Sequence, residues 1–201
     1  MAGASAVAKL DRTTFATSRL LDFCSEKELT AQTGHPVKDW PRVVIKELID
    51  NAMDACEEAG IPPVLHIELA EDRIVVADNG PGIPAAVIDR VLDFSVRVSS
   101  REAYISPTRG AQGNALKTLV AMPFVLDGKS GTVEIDSRGI KHTIVFAVDP
   151  IRQVPVVDVS RSEGIVRTGT AVSVRWPSRA GSLLVETEVE ILQLAETYAW
   201  L

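Results

Sequence analysis

Apolar and polar positions divide this chain of 201 residues into a helix-rich first half and a strand-rich second half. Ser18–Glu28 reads as a helix, with Leu20, Leu21 and Phe23 apolar and charges between them. Gly34-His35-Pro36 interrupts it. Asp39 is a good N-cap for the next helix, and Pro41 falls in its first turn, where a missing N–H costs little. That helix is expected to run to about Ala59 and to stop at Gly60, before Pro62-Pro63. Val64–Ala70 and Arg73–Asp78 are β-rich runs separated by Glu71-Asp72, the pattern of a hairpin. Pro84 opens a helix to about Phe94, and Gly113–Met122 forms another, ended by Pro123. Strand-like runs follow at Thr132–Ser137, Lys141–Val148, Val154–Ser160 and Thr170–Trp176. A last helix spans roughly Glu186–Leu201.

This order predicts an α+β fold: a two-layer α/β sandwich with a mixed sheet and helices on one face. The late strands follow one another through short turns, which excludes a doubly wound sheet. Ser95–Gln112 has no clean periodicity and exceeds an ordinary loop, so it reads as a lid or a disordered segment.

Composition narrows the picture. The hydrophobic fraction of 46% is ample for a core. A net charge of −6 argues against a dedicated nucleic-acid grip in this segment. Cys24 and Cys56 have no metal spacing and fit a reducing, cytoplasmic setting. No stretch is long and apolar enough to cross a membrane, and Met1–Leu10 lacks the features of a signal peptide. His35, His66 and His142 show no ligand spacing and read as structural or solvent-facing.

Three short motifs carry the candidate chemistry. At about 100° per residue, Glu47, Asn51, Asp54 and Glu58 share one stripe of the second helix. Arg42, Lys46, Asp50 and Glu57 lie on the other flank of that polar stripe. Ile45, Leu48, Ile49, Ala52, Cys56 and Ala59 take the opposite side. Taken alone, the stripe reads first as the solvated face of an amphipathic helix. Asp50, Asn51 and Asp54 are mediocre helix formers, however, and their clustering points to chemistry. The helix offers a general base, and Asn51 offers a hard, neutral oxygen apt for Mg²⁺. The second motif is Asp78-Asn79-Gly80-Pro81-Gly82-Ile83, a tight turn after an apolar strand. Such corners are common. In a functional reading, Asp78 accepts from an adenine amino group while Gly80 and Gly82 let the ring pack against backbone. The third is Thr108-Arg109-Gly110-Ala111-Gln112-Gly113-Asn114-Ala115-Leu116-Lys117. Its glycines and the following helix start suit anionic oxygens, and Lys117 adds charge.

The first two motifs resemble the N box and G1 box of the GHKL, or Bergerat-fold, ATPases (gyrase, Hsp90, histidine kinases, MutL). The third stands next in the same order. Lys46–Ala55, Ser99-Ser100-Arg101 and Thr108–Ala115 are most similar to the B subunit of type IIB topoisomerases, the topoisomerase VI family. Gly169-Thr170 matches the late Gly-Thr that closes the adenine pocket. The resemblance covers about Phe15 to Leu201. It implies an ATP- and Mg²⁺-dependent ATPase in which Glu47 polarises the attacking water and Asn51 holds Mg²⁺. Asp78 would bind adenine, with Gly80, Gly82, Ile83 and Thr170 around it and Asp54 supporting that side or the water network. Arg109, Gly110, Gln112, Gly113 and Lys117 would serve the phosphates. The family's third lid glycine is Ala115 here.

The resemblance also implies an N-terminal arm, residues 1–19, followed by the ATP-binding domain, residues 20–201. The apolar end at Tyr198-Ala199-Trp200-Leu201 lacks a C-cap glycine and reads as a cut-off helix. Expected partners are ATP, a second copy in a nucleotide-dependent homodimer, a DNA-cleaving A-type subunit, and DNA through other parts of the complex. Other readings are an ATP-gated clamp of MutL, MORC or Hsp90 type, and a nucleotide-binding regulatory module. The lid Ser95–Gln112 is expected to order over bound nucleotide.

Overall fold

A computed structural model describes residues 24–92 and 115–199 of the chain. The expected lid, most of the third motif and the 1–19 arm lie outside the described residues.

Ser25 is extended, and its hydroxyl accepts the Glu28 amide at 3.2 Å, so α1 (Glu26–Thr33) starts there. The helix thus begins near the point where the sequence pattern suggested an end. The 18–23 part of that expected helix is not among the described residues. After the 3₁₀ turn Val37–Asp39 comes α2 (Trp40–Ala59), with Pro41 in its first turn and Gly60 left-handed at its end. Asp39 occupies the N-cap position but its side chain makes no capping bond. Its helical backbone continues the 3₁₀ turn into α2, so the carboxylate is not aimed at the free N–H groups.

The hairpin forms as expected from β1 (Leu65–Ala70) and β2 (Arg73–Asp78), with Leu65 opposite Asp78. Next come α3 (Ala85–Val91) and α4 (Ala115–Asp127). Pro123 lies inside α4 and does not end it. Phe124 and Val125 still pack on the core beyond the proline, so burial outweighs the local cost of a missing N–H. The helix lies so close to the sheet that a Cβ on Gly131 would sit 2.6 Å from the Phe124 nitrogen.

The remaining strands are β3 (Gly131–Ser137), β4 (Ile140–Asp149), β5 (Val154–Glu163) and β6 (Thr170–Arg175). A two-residue turn, Arg138-Gly139, joins β3 to β4 with φ of 53° and 78°. Both values suit the right-handed twist of a tight hairpin. A 3₁₀ turn, Ser178–Ala180, leads into α5 (Gly181–Ala199), which starts earlier than its sequence pattern suggested.

Among the described residues, six strands run in the order β1-β2-β6-β3-β4-β5. Each recorded pairing is antiparallel, which corrects the expectation of a mixed sheet. The cause is the placement of β6. It inserts between β2 and β3 and runs antiparallel to both. The α+β class and the two-layer arrangement stand. Val133 and Ile135 of β3, Ile144 and Phe146 of β4, and Val172 and Val174 of β6 turn one face of the sheet toward the helices. Ile45, Leu48 and Ile49 of α2 and Leu119, Val120 and Met122 of α4 meet them in one core. Phe124 and Phe146 meet edge to face at 5.3 Å. Trp40 and Trp176 are buried, and each indole N–H finds a backbone carbonyl, on His35 and Ala180. His142 is also buried, on the core face of β4, and neither ring nitrogen has a hydrogen-bond partner among the described residues. Among the described residues, no helix is long and apolar enough to cross a membrane.

Candidate functional site

Strand alternation places Asp78, Thr170 and Ser137 in a row at one end of the sheet's helix-bearing face. Asp78 follows Ile74 and Val76, both buried there. The last β2–β6 pair is Ala77 with Ala171, so Asp78 falls opposite Thr170. Thr170 in turn pairs with Ser137. The Asp78 carboxylate accepts the Gly80 amide at 2.8 Å and also the Thr170 amide. Burial pushes its pKa up, and these two N–H donors pull it back down. A carboxylate has about four acceptor sites, so two donors leave capacity for a ligand amine.

The backbone around Asp78 is packed tightly enough to require glycine. Gly82 has φ 76°, and a Cβ there would meet Ser137 Oγ at 2.8 Å and Gly169 O at 2.9 Å. Gly169 has φ 78° and lies directly on the Asp78 carbonyl. The Gly-Thr before β6 is therefore a close contact between two loops.

Several residues outside the expected set hold this corner. Ser137 is 2% exposed. Its hydroxyl accepts the Ile83 amide at 2.8 Å and donates to Gly169 O at 2.9 Å, with Thr170 Oγ1 at 3.2 Å. Arg138 Nε donates to Pro81 O at 3.1 Å. Asn79 accepts from Val64 N at 2.9 Å and donates to Pro62 O at 3.0 Å. It thereby ties the turn to the loop after α2. A sequence signal existed for Ser137: it is a polar residue in phase with Val133 and Ile135 on the buried face of its strand.

The turn also rests on the helix that carries the first motif. A Cβ on Gly80 would lie 3.2 Å from Cys56 Sγ and 3.8 Å from Ala55 Cβ. Cys56 Sγ donates to Asn79 Oδ1 at 3.6 Å. Back along α2 from Cys56 come Asp54, which is buried, and then the half-buried Asn51 and Glu47. Burial raises the Glu47 pKa; Lys46 opposes that rise and Asp50 adds to it. Among the described residues, no hydrogen bond reaches the side chain of Glu47 or Asn51. Asp50 is not on a solvated flank. It is 5% exposed and bonded to Lys46 and Tyr198.

The structure thus brings α2, the Asp78 turn and Thr170 to one end of the fold. Lys117 is buried in the first turns of α4. Arg109, Gly110, Gln112 and Gly113 lie outside the described residues. No cluster of three or more metal-ligating His, Cys, Asp or Glu side chains occurs among the described residues.

Residues 37–179 match the family model described as histidine kinase-, DNA gyrase B-, and HSP90-like ATPase. The chain is 33% identical over 136 residues to the B subunit of type 2 DNA topoisomerase 6 from Archaeoglobus fulgidus, covering 64% of this chain and 22% of that protein. It is 35% identical over 127 residues to the corresponding B subunit from Thermococcus kodakarensis, covering 60% of this chain and 21% of that one. These matches span about a fifth of the relatives' length. Among solved structures it is similar to the ATPase domain of the Aquifex aeolicus mismatch repair endonuclease MutL, at 20% identity and a TM-score of 0.42, covering 78% of this chain and 51% of that chain. The match to the family model takes in well over half of the sequence, and the chain belongs to the histidine kinase-, DNA gyrase B- and HSP90-like ATPases.

Proposed function

We propose that the chain binds ATP with Mg²⁺ and hydrolyses it to ADP and phosphate, and that this drives ATP-gated dimerisation of a larger topoisomerase VI-like machine. The observation that carries the reading is the Asp78 corner. A half-buried carboxylate is held there by two backbone N–H groups, keeps spare acceptor capacity, and is bounded by glycines. Such a group reads an exocyclic amine, as adenine carries and guanine does not offer at that position.

In this proposal Asn51 would hold the metal through its amide oxygen, and the amide fits that role because no protein partner occupies it among the described residues. Bound Mg²⁺ would neutralise phosphate charge. Glu47 acts as the general base. Burial raises its proton affinity, and its carboxylate is not consumed by a hydrogen bond among the described residues. It would accept a proton from the attacking water as the water oxygen bonds to the γ-phosphorus and the bond to the β–γ bridging oxygen breaks, releasing ADP. Lys117 and the Arg109–Gly113 run are assigned to the phosphates. The A-type DNA-cleaving subunit, and DNA reached through other parts of the assembly, are the proposed partners by similarity to the topoisomerase 6 B subunits.

The test is a Glu47→Gln variant. A base acts in the transition state, so Mg-ATP binding should persist by calorimetry while turnover is lost. Wild-type turnover in that variant would overturn the assignment.

A further inference from the structure

The polar face of α2 contains a second arrangement that the proposed mechanism leaves unused. Asp50 is adjacent to Asn51, yet it is 5% exposed. Its Oδ2 lies 2.5 Å from Lys46 Nζ, and its Oδ1 accepts the hydroxyl of Tyr198 near the end of α5. Lys46 itself is about half exposed, with a side-chain exposure of 48%. Its immediate neighbour in the chain is Glu47.

A lysine preceding an acid by four positions is the weaker orientation of a helical ion pair. A long exposed lysine would also lose rotamer freedom in holding this geometry. The pair is held because Asp50 is buried and fixed from the far side by Tyr198. We infer that Asp50, braced by Tyr198, is a positioning residue that sequesters the Lys46 ammonium and keeps it from pairing with Glu47. The inference rests on Glu47 being the base. A released ammonium beside that carboxylate would stabilise its charged form and weaken it as a proton acceptor. Lys46 already acts on Glu47 in that direction, against burial and against Asp50. The last helix is thereby connected to the chemistry through one hydroxyl, although Tyr198 lies 148 positions from Asp50.

Single-turnover hydrolysis and calorimetric Mg-ATP binding on four variants separate this role from a purely structural one. Asp50→Asn retains an amide oxygen for the Tyr198 hydroxyl but no longer holds the ammonium. It should lower the hydrolysis rate by roughly tenfold, a partial loss of what a positioned general base contributes, with ATP affinity unchanged. Tyr198→Phe removes one hydroxyl and should lower the rate in the same direction by less. Lys46→Gln alone should not lower the rate, because no ammonium remains to be sequestered and the existing pull of Lys46 on Glu47 is removed. The deciding variant is Lys46→Gln/Asp50→Asn, which should recover most of the rate lost in Asp50→Asn. A double variant no faster than Asp50→Asn, or an Asp50→Asn enzyme with wild-type rate, would overturn the inference. If Glu47→Gln is inactive while Asp50→Asn hydrolyses normally, only the positioning role fails. If Glu47→Gln still hydrolyses ATP, the base assignment fails and this inference with it.

Discussion

The hydroxyl of Ser137 accepts the amide proton of Ile83 at 2.8 Å, joining the Asp78 turn to a strand 54 positions further along. The same oxygen donates to Gly169 and lies beside Thr170. One buried side chain thus fastens both loops that flank the proposed adenine pocket. Ser137→Ala leaves the part-buried Ile83 N–H without its partner and should cost about 1 kcal/mol of folding stability. Urea denaturation measures the loss, and ATP affinity should fall with it. An unchanged midpoint would show that water replaces the hydroxyl at no cost.

Gly169 carries φ 78° and lies against the Asp78 carbonyl. Gly169→Ala would combine a strained backbone, about 1–3 kcal/mol, with a collision against main chain that cannot rotate away. Reduced thermal stability and loss of nucleotide binding are expected together. A Gly82→Ala variant should behave alike, since its Cβ would press on Ser137 Oγ and Gly169 O.

Base selection tests Asp78. Asp78→Asn replaces an acceptor with a group that presents an N–H₂ in part of the same space. A buried mismatch of about 1–3 kcal/mol corresponds to roughly ten- to a hundredfold weaker ATP binding. Wild-type protein should prefer ATP over GTP in competition calorimetry. Equal affinity for the two nucleotides would remove Asp78 from the adenine site.

Burial raises the pKa of Glu47. An acid whose folded pKa exceeds its unfolded value contributes stability that is fully present below the unfolded pKa. That contribution is lost as pH rises through the folded pKa. Glu47→Gln should therefore be more stable than wild type at neutral pH, and the gap should close as pH falls to about 4, the ordinary glutamate range. The acid limb of ATP turnover should lie above that range, because the base must be ionised. Melting curves from about pH 4 to about pH 8, paired with a rate profile, check both signs.

His142 is 1% exposed, and neither ring nitrogen is hydrogen-bonded among the described residues. A polar group in that state is costly, by about 1–3 kcal/mol on mutational scales. His142→Leu should therefore raise the melting temperature while leaving ATP turnover intact. A lower melting temperature would indicate that the ring's packing with its core neighbours outweighs its unmet polar demand.

The elements governed by local chemistry were legible in the chain alone. The span of α2, Trp40–Ala59, follows from Pro41, whose ring tolerates the first turn, and from Gly60, which accepts a left-handed backbone after the last. The β1–β2 hairpin and the approximate positions of β3 to β6 follow from strand patterning bounded by turn residues. The motif on which the proposed roles of Glu47, Asn51 and Asp78 rest was also visible in the chain, because its residues lie within short stretches of it.

Only the tertiary structure decided what long-range packing controls. No local signal puts β6 between β2 and β3, yet that insertion makes the sheet antiparallel and brings Thr170 to Asp78. Pro123 would end an isolated helix, but the core contacts of Phe124 and Val125 keep α4 running past it. Helical spacing put Asp50 on one flank of the polar stripe. Periodicity records which side of a helix is polar, but not whether a second helix will cover that side. Tyr198 does cover it, and the free energy of that buried contact depends on residues 148 positions apart meeting in the folded chain.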